Sequence, residues 1–383
     1  MNHVETARAL GPRVRELAAE IEEARRLPPE LADALVRAGW WKSCVPASAG
    51  GGEERLDAVL EVISELSAAD ASVGWCAMIG ATSGLIYAYL DQTVAKEIVT
   101  SDAAFCTGGV FAPSGRAVAA EGGWIVSGRW SFASGVEHST WLGLGVVLMD
   151  GDAPRIRENG APDIRAVLLP ASEVEVLDTW HVSGLRGTGS NDVVVSEVFV
   201  PDERVYRLVG GTPSAGGPLY AFPVFGLLAL GVASVALGAA RDSIHELVAL
   251  ATEKTPTGSR RRLADRAHAQ MEVAQAQAEL EASRAFVGHV VSSAWSNAEN
   301  GTMPDVRARA RLRLAATHAT RTSARVVDRM YDLAGGSSIY ANSRLQRHFR
   351  DVHAATQHMV ISPATYELTG RVLLGIETDV SLL

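Results

Sequence analysis

Two histidines near the C-terminus, His353 and His358, stand in the run Arg350-Asp351-Val352-His353-Ala354-Ala355-Thr356-Gln357-His358-Met359. An imidazole ordinarily titrates near pH 6.5, roughly at neutrality, so it can give or take a proton there. A metal pair is a poor reading of the two. Five residues on one helix turn through about 140°, so side chains so spaced cannot meet at one ion. No carboxylate follows Asp351 before Glu367, so acid–base work at this position falls to histidine. A lone helical histidine is more often a packed structural residue. That reading suits His353, which points away from the face of His358.

Three other segments carry candidate chemistry. Gly128-Arg129-Trp130-Ser131-Phe132-Ala133-Ser134-Gly135 places a small hydroxyl, Ser134, at the end of an aromatic alternation, with His138 close behind. Gly184-Leu185-Arg186-Gly187-Thr188-Gly189-Ser190-Asn191-Asp192 is glycine-rich, as turns are, because glycine takes positive φ without strain. It follows no strand-to-helix pattern, so a dinucleotide fingerprint of the Rossmann type is unsupported. Arg260-Arg261-Arg262 offers planar guanidinium forks of the kind that bind phosphate, or simply a solvated basic loop.

These residues need elements to hold them. Helical periodicity runs from the start to about residue 103, with Leu17, Ile21, Leu31 and Leu35 on buried faces. From 104 to 206, short β-branched and aromatic runs alternate with Gly, Pro and Asp, which predicts a compact antiparallel β-domain. From 207 to 383, long helix-forming segments return, including 266–293 and 306–333, and predict a four-helix bundle. The apolar stretch 222–240 is long enough to raise the membrane question. It runs straight into Arg241, Asp242, His245 and Glu246 at helical spacing, so it reads as a buried helix. With 35 basic against 44 acidic residues, the net charge of −9 disfavours nucleic acid and anionic membrane as partners. Cys44, Cys76 and Cys106 are unpaired by spacing, which fits a reducing cytoplasm.

In this order and spacing, four segments resemble the acyl-CoA dehydrogenase superfamily. They are Gly39 to Gly52, Gly128 to Gly135, Gly184 to Pro201, and Leu333-Ala334-Gly335-Gly336 with Arg350-Asp351. The resemblance covers most of the chain and implies an α+β fold: a helical domain (1–103), a β-domain (104–206) and a helical bundle (207–383). It also implies a homotetramer. In the dehydrogenases a glutamate base stands just after Arg-Asp; here that slot holds His358 or Met359. Arg-Asp-x-His with a later His, and Phe132-Ala133-Ser134-Gly135 with His138, resemble instead the flavin-dependent monooxygenases of the same fold.

That branch implies reduced flavin (FMNH2 or FADH2) delivered by a separate flavin reductase, O2 as co-substrate, and hydroxylation of a small aromatic or amine-bearing metabolite. By resemblance His358 and Ser134 are catalytic. Phe111, Phe132, Ala133, Ser134, Arg260, Gly335 and Gly336 contact the cofactor, in part from a neighbouring subunit. Ser83, Tyr87 and His138 line the substrate pocket. No metal is implied. The branch often carries a further histidine on the helix before the β-domain; residues 81–87 contain none, and Ser83 falls near that slot. Two alternatives remain at this point: a dehydrogenase-like enzyme with its base relocated, to Glu367 for instance, and a non-redox relative that has lost flavin.

Overall fold

The computed structural model describes residues 2–302 and 304–383. Five helices come first: α1 (His3–Ala24), α2 (Pro29–Arg37), α3 (Leu56–Ala69), α4 (Ala71–Ser83) and α5 (Gln92–Ser101). Strands β1 (Thr107–Ala120), β2 (Gly123–Ala133), β3 (Trp141–Asp150), β4 (Ala153–Pro154), β5 (Ile164–Pro170), β6 (Glu175–Leu177), β7 (Asn191–Pro201) and β8 (Val205–Tyr206) follow. The chain closes with α6 (Pro218–Ala221), α7 (Val224–Glu253), α8 (Ala267–Glu299), α9 (Val306–Ala334), α10 (Arg344–Ala355) and α11 (Ala364–Leu373). The α–β–α order expected from composition is therefore the observed one.

The sheet departs from expectation in one respect. It is mixed, not antiparallel: its order is β6-β7-β2-β1-β3-β5-β8, and β1 pairs with β3 in parallel from Thr107↔Trp141 to Val118↔Met149. The cause is topological. β1 and β2 form a hairpin over Gly122, whose φ is +73°. The chain then crosses through residues 134–140 to the far edge of β1, so β3 runs in the direction of β1. Strand-by-strand patterning reports direction reversals but not which neighbour a strand joins.

The apolar run near 230 is a buried helix, as its charged continuation suggested. It forms the first half of α7, which packs on α9, α3 and α4. By length and hydropathy alone both 71–89 and 224–253 pass as spans, but 94% and 78% of their apolar windows are enclosed by protein. One apolar core runs through helices from both ends of the chain, joining Ile21, Trp75, Leu247 and Met330. The sheet has its own core around Trp130, whose indole N–H donates to the carbonyl of Gly145 at 2.7 Å.

Candidate active site

The N-terminus of α4 is capped by Asp70, whose buried carboxylate accepts from the backbone N–H of Ser72 and Val73. One turn in, Trp75 is buried and donates its indole N–H to Ser134 Oγ at 3.1 Å. From Ser134 a run of hydroxyls leads inward. Ser134 Oγ lies 2.7 Å from Ser190 Oγ, which lies 2.7 Å from Thr188 Oγ1. Thr188 Oγ1 in turn donates to the carbonyl of Leu185 at 2.8 Å. Ser134 is held in place by its backbone. Its N–H donates to Phe132 O at 2.8 Å, and the next residue's N–H reaches Thr188 O at 2.8 Å.

Phe132 sits at φ +68° and is 69% exposed. Such a backbone costs an aromatic residue about 1–3 kcal/mol and persists only where the surroundings enforce it. Here the β2–β7 register slips between Trp130 and Ala133, which swings Phe132 outward beside Ser134. Trp180 meets it edge-on, ring centroids 6.0 Å apart. An exposed aromatic surface next to a buried hydroxyl suits a flat conjugated ring such as isoalloxazine, because the rings offer stacking area and the hydroxyl a directional contact.

The loop carrying Thr188 and Ser190 is clamped by α10. Asp351 Oδ1 accepts from the N–H of Leu185 at 2.6 Å, and Arg350 donates to Ser183 O at 2.7 Å. Only glycine fits at position 184, since a Cβ there would lie 2.1 Å from the carbonyl of Arg350. Arg350 and Arg347 both pair with Glu22 on α1. Burial, reinforced by the Asp70 carboxylate, pushes the Asp351 carboxyl up to about 7.

His358 does not lie on the last helix. α10 ends at Ala355, and His358 caps the short turn 359–361, its Nδ1 accepting from the Val360 N–H at 3.3 Å. The ring nonetheless comes to the site, with its centroid 5.6 Å from that of Trp75. Trp75 thus touches both candidate catalytic residues. Burial, helped by Arg313, lowers the His358 pKa to about 4, so the imidazole is neutral at physiological pH. With Nδ1 accepting, its proton rests on Nε2, and its free edge is a donor. His353 is elsewhere, as expected: it bonds Asp328 at 2.8 Å and packs on Phe349.

The remaining residues scatter. His138 lies near the site, but its ring stacks on Trp41 at 5.3 Å, packs under Gly135, and is held neutral by burial with a pKa of about 4. Ser83 is buried eight residues beyond Trp75, about 12 Å farther along α4. Tyr87 is fully buried, its hydroxyl 2.8 Å from Thr107 Oγ1, and Phe111 packs into that same core. Neither meets Ser134. Ala133 is buried and pairs with Asn191.

Gly335 and Gly336 cap the C-terminus of α9, where Lys254 binds Ala334 O and Ser337 Oγ. Arg313, on the same helix, bonds the carbonyl of Val360 beside His358. Arg321, also on α9, bonds the carbonyl of Thr356 on the other side of His358, so the 14 to 22 residues from these arginines to Gly335 carry the glycine pair about 21–33 Å along the helix axis. Arg260 is exposed in the loop after α7, on the Lys254 side. In one chain, these residues and Ser134 cannot contact the same ring. Glu367 is exposed on α11, lining an open cleft with Arg371 and Asp379. Among the described residues, no cluster of three His, Cys, Asp or Glu side chains is placed to bind a metal.

Sequence reasoning passed over Trp75, Thr188 and Ser190. The first stood only at the start of a helix-forming segment, and the other two lay in a glycine-rich run of the kind that forms turns. The signal for the pair was present as two hydroxyls two residues apart in a glycine-rich loop, but what they bond to is a tertiary fact.

Residues 4–100 match the acyl-CoA dehydrogenase N-terminal domain, and residues 230–363 the acyl-CoA dehydrogenase C-terminal domain. The chain is 32% identical to indole-3-acetate monooxygenase of Pseudomonas putida, covering 95% of this chain and 92% of that protein. It is 30% identical to the oxygenase component of an FADH(2)-dependent resorcinol hydroxylase from a Rhizobium strain, covering 95% and 91%. The crystal structure of 3-HSA hydroxylase from a Rhodococcus strain superposes with a TM-score of 0.91 at 25% identity, covering 100% and 99%. The chain belongs to the acyl-CoA dehydrogenase family, in its branch of flavin-dependent monooxygenases, as an oxygenase component.

Proposed function

We infer that this oxygenase component takes reduced FMN or FAD from a separate reductase and, with O2, hydroxylates a small aromatic or amine-bearing molecule. The observation that carries the reading is the placement of Trp75 between a neutral imidazole, His358, and a buried hydroxyl, Ser134. When bound, reduced flavin supplies the electrons that activate oxygen. Phe132 and Trp180 would support the flat ring, and Ser134 would fix its polar edge. The phosphate end would fall to the Lys254–Gly336 region of a neighbouring copy, given the length of α9. Exposed apolar residues at Ile339, Tyr340, Leu373 and Leu374 support self-association of this chain, which we take to be a cytoplasmic homotetramer.

His358 is a poor general base, since burial disfavours its protonated form. It serves better as a donor from Nε2–H to an oxygen or ring nitrogen of the substrate, holding the acceptor carbon in place. The buried indole of Trp75 would form one apolar wall beside a substrate so held. Glu367, on its open cleft, meets neither Trp75 nor Ser134, so it offers no relocated dehydrogenase base.

The test is a reductase-coupled assay over phenols, indoles and arylamines, read by mass spectrometry with 18O2. Incorporation of one labelled oxygen atom into one of these classes is expected. Hydrogen peroxide as sole product across the panel would contradict the proposal.

A further inference from the structure

We propose that Thr188 and Ser190 fix the direction of the hydroxyl chain ending at Ser134, and that this direction makes the site select reduced over oxidised flavin. The proposal rests on the reading above, in which a flavin ring meets Ser134.

Each hydroxyl has one proton to give. At one end of the chain, the Trp75 indole can only donate, so it occupies one lone pair of Ser134 Oγ. At the other end, the Leu185 carbonyl can only accept, and Thr188 Oγ1 stands 2.8 Å from it. Thr188 therefore spends its proton on Leu185. Ser190, 2.7 Å from Thr188, spends its proton on Thr188, and Ser134 spends its own on Ser190. The four side chains are at most 6% exposed, so water does not reorient them.

Reversal is costly. The cost does not lie in a lost partner, since the Leu185 carbonyl would keep Trp180 Nε1–H and the Thr188 N–H. Thr188 Oγ1 and Leu185 O would then face each other at 2.8 Å with no proton between them. Two oxygen lone pairs so close repel.

With the chain running inward, Ser134 has no proton left and one lone pair free. A ligand atom facing it must be a donor. Reduced flavin carries a hydrogen on N5, whereas oxidised flavin presents a lone pair there. The reduced ring gains a hydrogen bond at Ser134, and the oxidised ring meets an acceptor. Thr188 and Ser190 touch neither ligand; they are positioning residues that act through Ser134.

The experiment measures the dissociation constants of oxidised FMN, by fluorescence, and of anaerobically reduced FMN, by absorbance. It uses the whole protein and its Ser190→Ala, Thr188→Val and Thr188→Ser variants, with thermal melts to verify folding. Wild type is expected to bind reduced FMN at least about tenfold more tightly. Ser190→Ala and Thr188→Val free the Ser134 proton and should narrow that ratio about five- to tenfold, the size of one buried hydrogen bond, chiefly by tightening oxidised FMN. Thr188→Ser keeps the hydroxyl and should keep the ratio. If wild type prefers reduced FMN and both deletions leave the ratio unchanged, the proposal is overturned and the flavin reading stands. If folded wild type binds FMN and FAD in neither state, the flavin reading itself fails. Should Thr188→Val not fold, Ser190→Ala alone decides.

Discussion

The carboxylate of Asp351, near the end of α10, holds the backbone N–H of Leu185 at 2.6 Å. Leu185 opens the turn whose carbonyl and hydroxyls order Ser134, so a helix of the C-terminal bundle sets the geometry of a residue in the β-domain. Asp351→Ala leaves a buried N–H without its partner and should cost about 1–3 kcal/mol in urea unfolding. Asp351→Asn keeps an accepting oxygen and should cost less.

Asp351 also predicts a pH dependence. Its folded pKa, about 7, lies above the ordinary carboxyl value, with the nearby Asp70 adding to the effect of burial. The folded protein therefore holds a proton that the unfolded chain releases, and stability is lost as pH rises from the ordinary carboxyl range through about 7. Melting temperature followed across that window should fall for wild type and fall less steeply for Asp351→Asn. An equal slope in both would contradict the assignment.

His358 acts with the opposite sign. Its folded pKa of about 4 is depressed, so its contribution to stability is complete above about pH 6.5 and is lost as pH falls toward 4. His358→Asn should remove this part of the acid limb. In the same variant, product yield per reduced flavin should drop at least about tenfold, while reduced-flavin affinity stays within about twofold, because the imidazole faces the substrate. Comparable loss of flavin affinity would assign the residue to the cofactor instead.

Trp75→Phe keeps a ring against His358 but removes the donor to Ser134. A cost of about 1 kcal/mol is expected for the lost hydrogen bond. Unfolding in denaturant checks the stability, and oxidised-FMN affinity should stay within about twofold, because Ser134 still gives its proton to Ser190.

At the far end of α9, Gly335 has φ +53° and ψ −142°, a backbone reserved for glycine. Gly335→Ala should lower stability by about 1–3 kcal/mol. Because this turn is about 21–33 Å along α9 from the arginines that bond the chain on either side of His358, loss of flavin affinity in a folded variant would point to a site completed by a neighbouring copy. Analytical ultracentrifugation on the same sample checks the assembly.

Much of this was legible in the residues themselves. Helical periodicity, the switch to β-branched runs near residue 104 and the charged continuation of α7 together give the layer order. The position of His358 after Arg350-Asp351, the glutamate slot of the resembling family, singled out an imidazole whose ring the fold brings 5.6 Å from that of Trp75. Its location on a helix did not follow, because nothing between 350 and 362 marks a stop: no Gly or Pro breaks the run. The stop lies in side-chain chemistry, with Thr356 Oγ1 donating to His353 O at 2.6 Å. The parallel pairing of β1 with β3 was equally hidden, as was the hydroxyl chain, whose members lie on α4, the β2 end and the loop before β7. Tyr87 and Ser83 were drawn to the site by analogy, whereas packing buries Tyr87 against Thr107 and leaves Ser83 two turns away.

We infer that Ser134 contacts a reduced flavin that reacts with oxygen under the protein's control, with Trp75 and His358 on the substrate side. Rapid mixing of the anaerobic protein–reduced-FMN complex with oxygenated buffer tests it most directly. A transient spectrum distinct from both reduced and oxidised flavin, persisting longer than free flavin oxidation allows and shortened in Ser134→Ala, is the predicted result. Direct return to oxidised flavin at the free-solution rate, identical in wild type and variant, would contradict it.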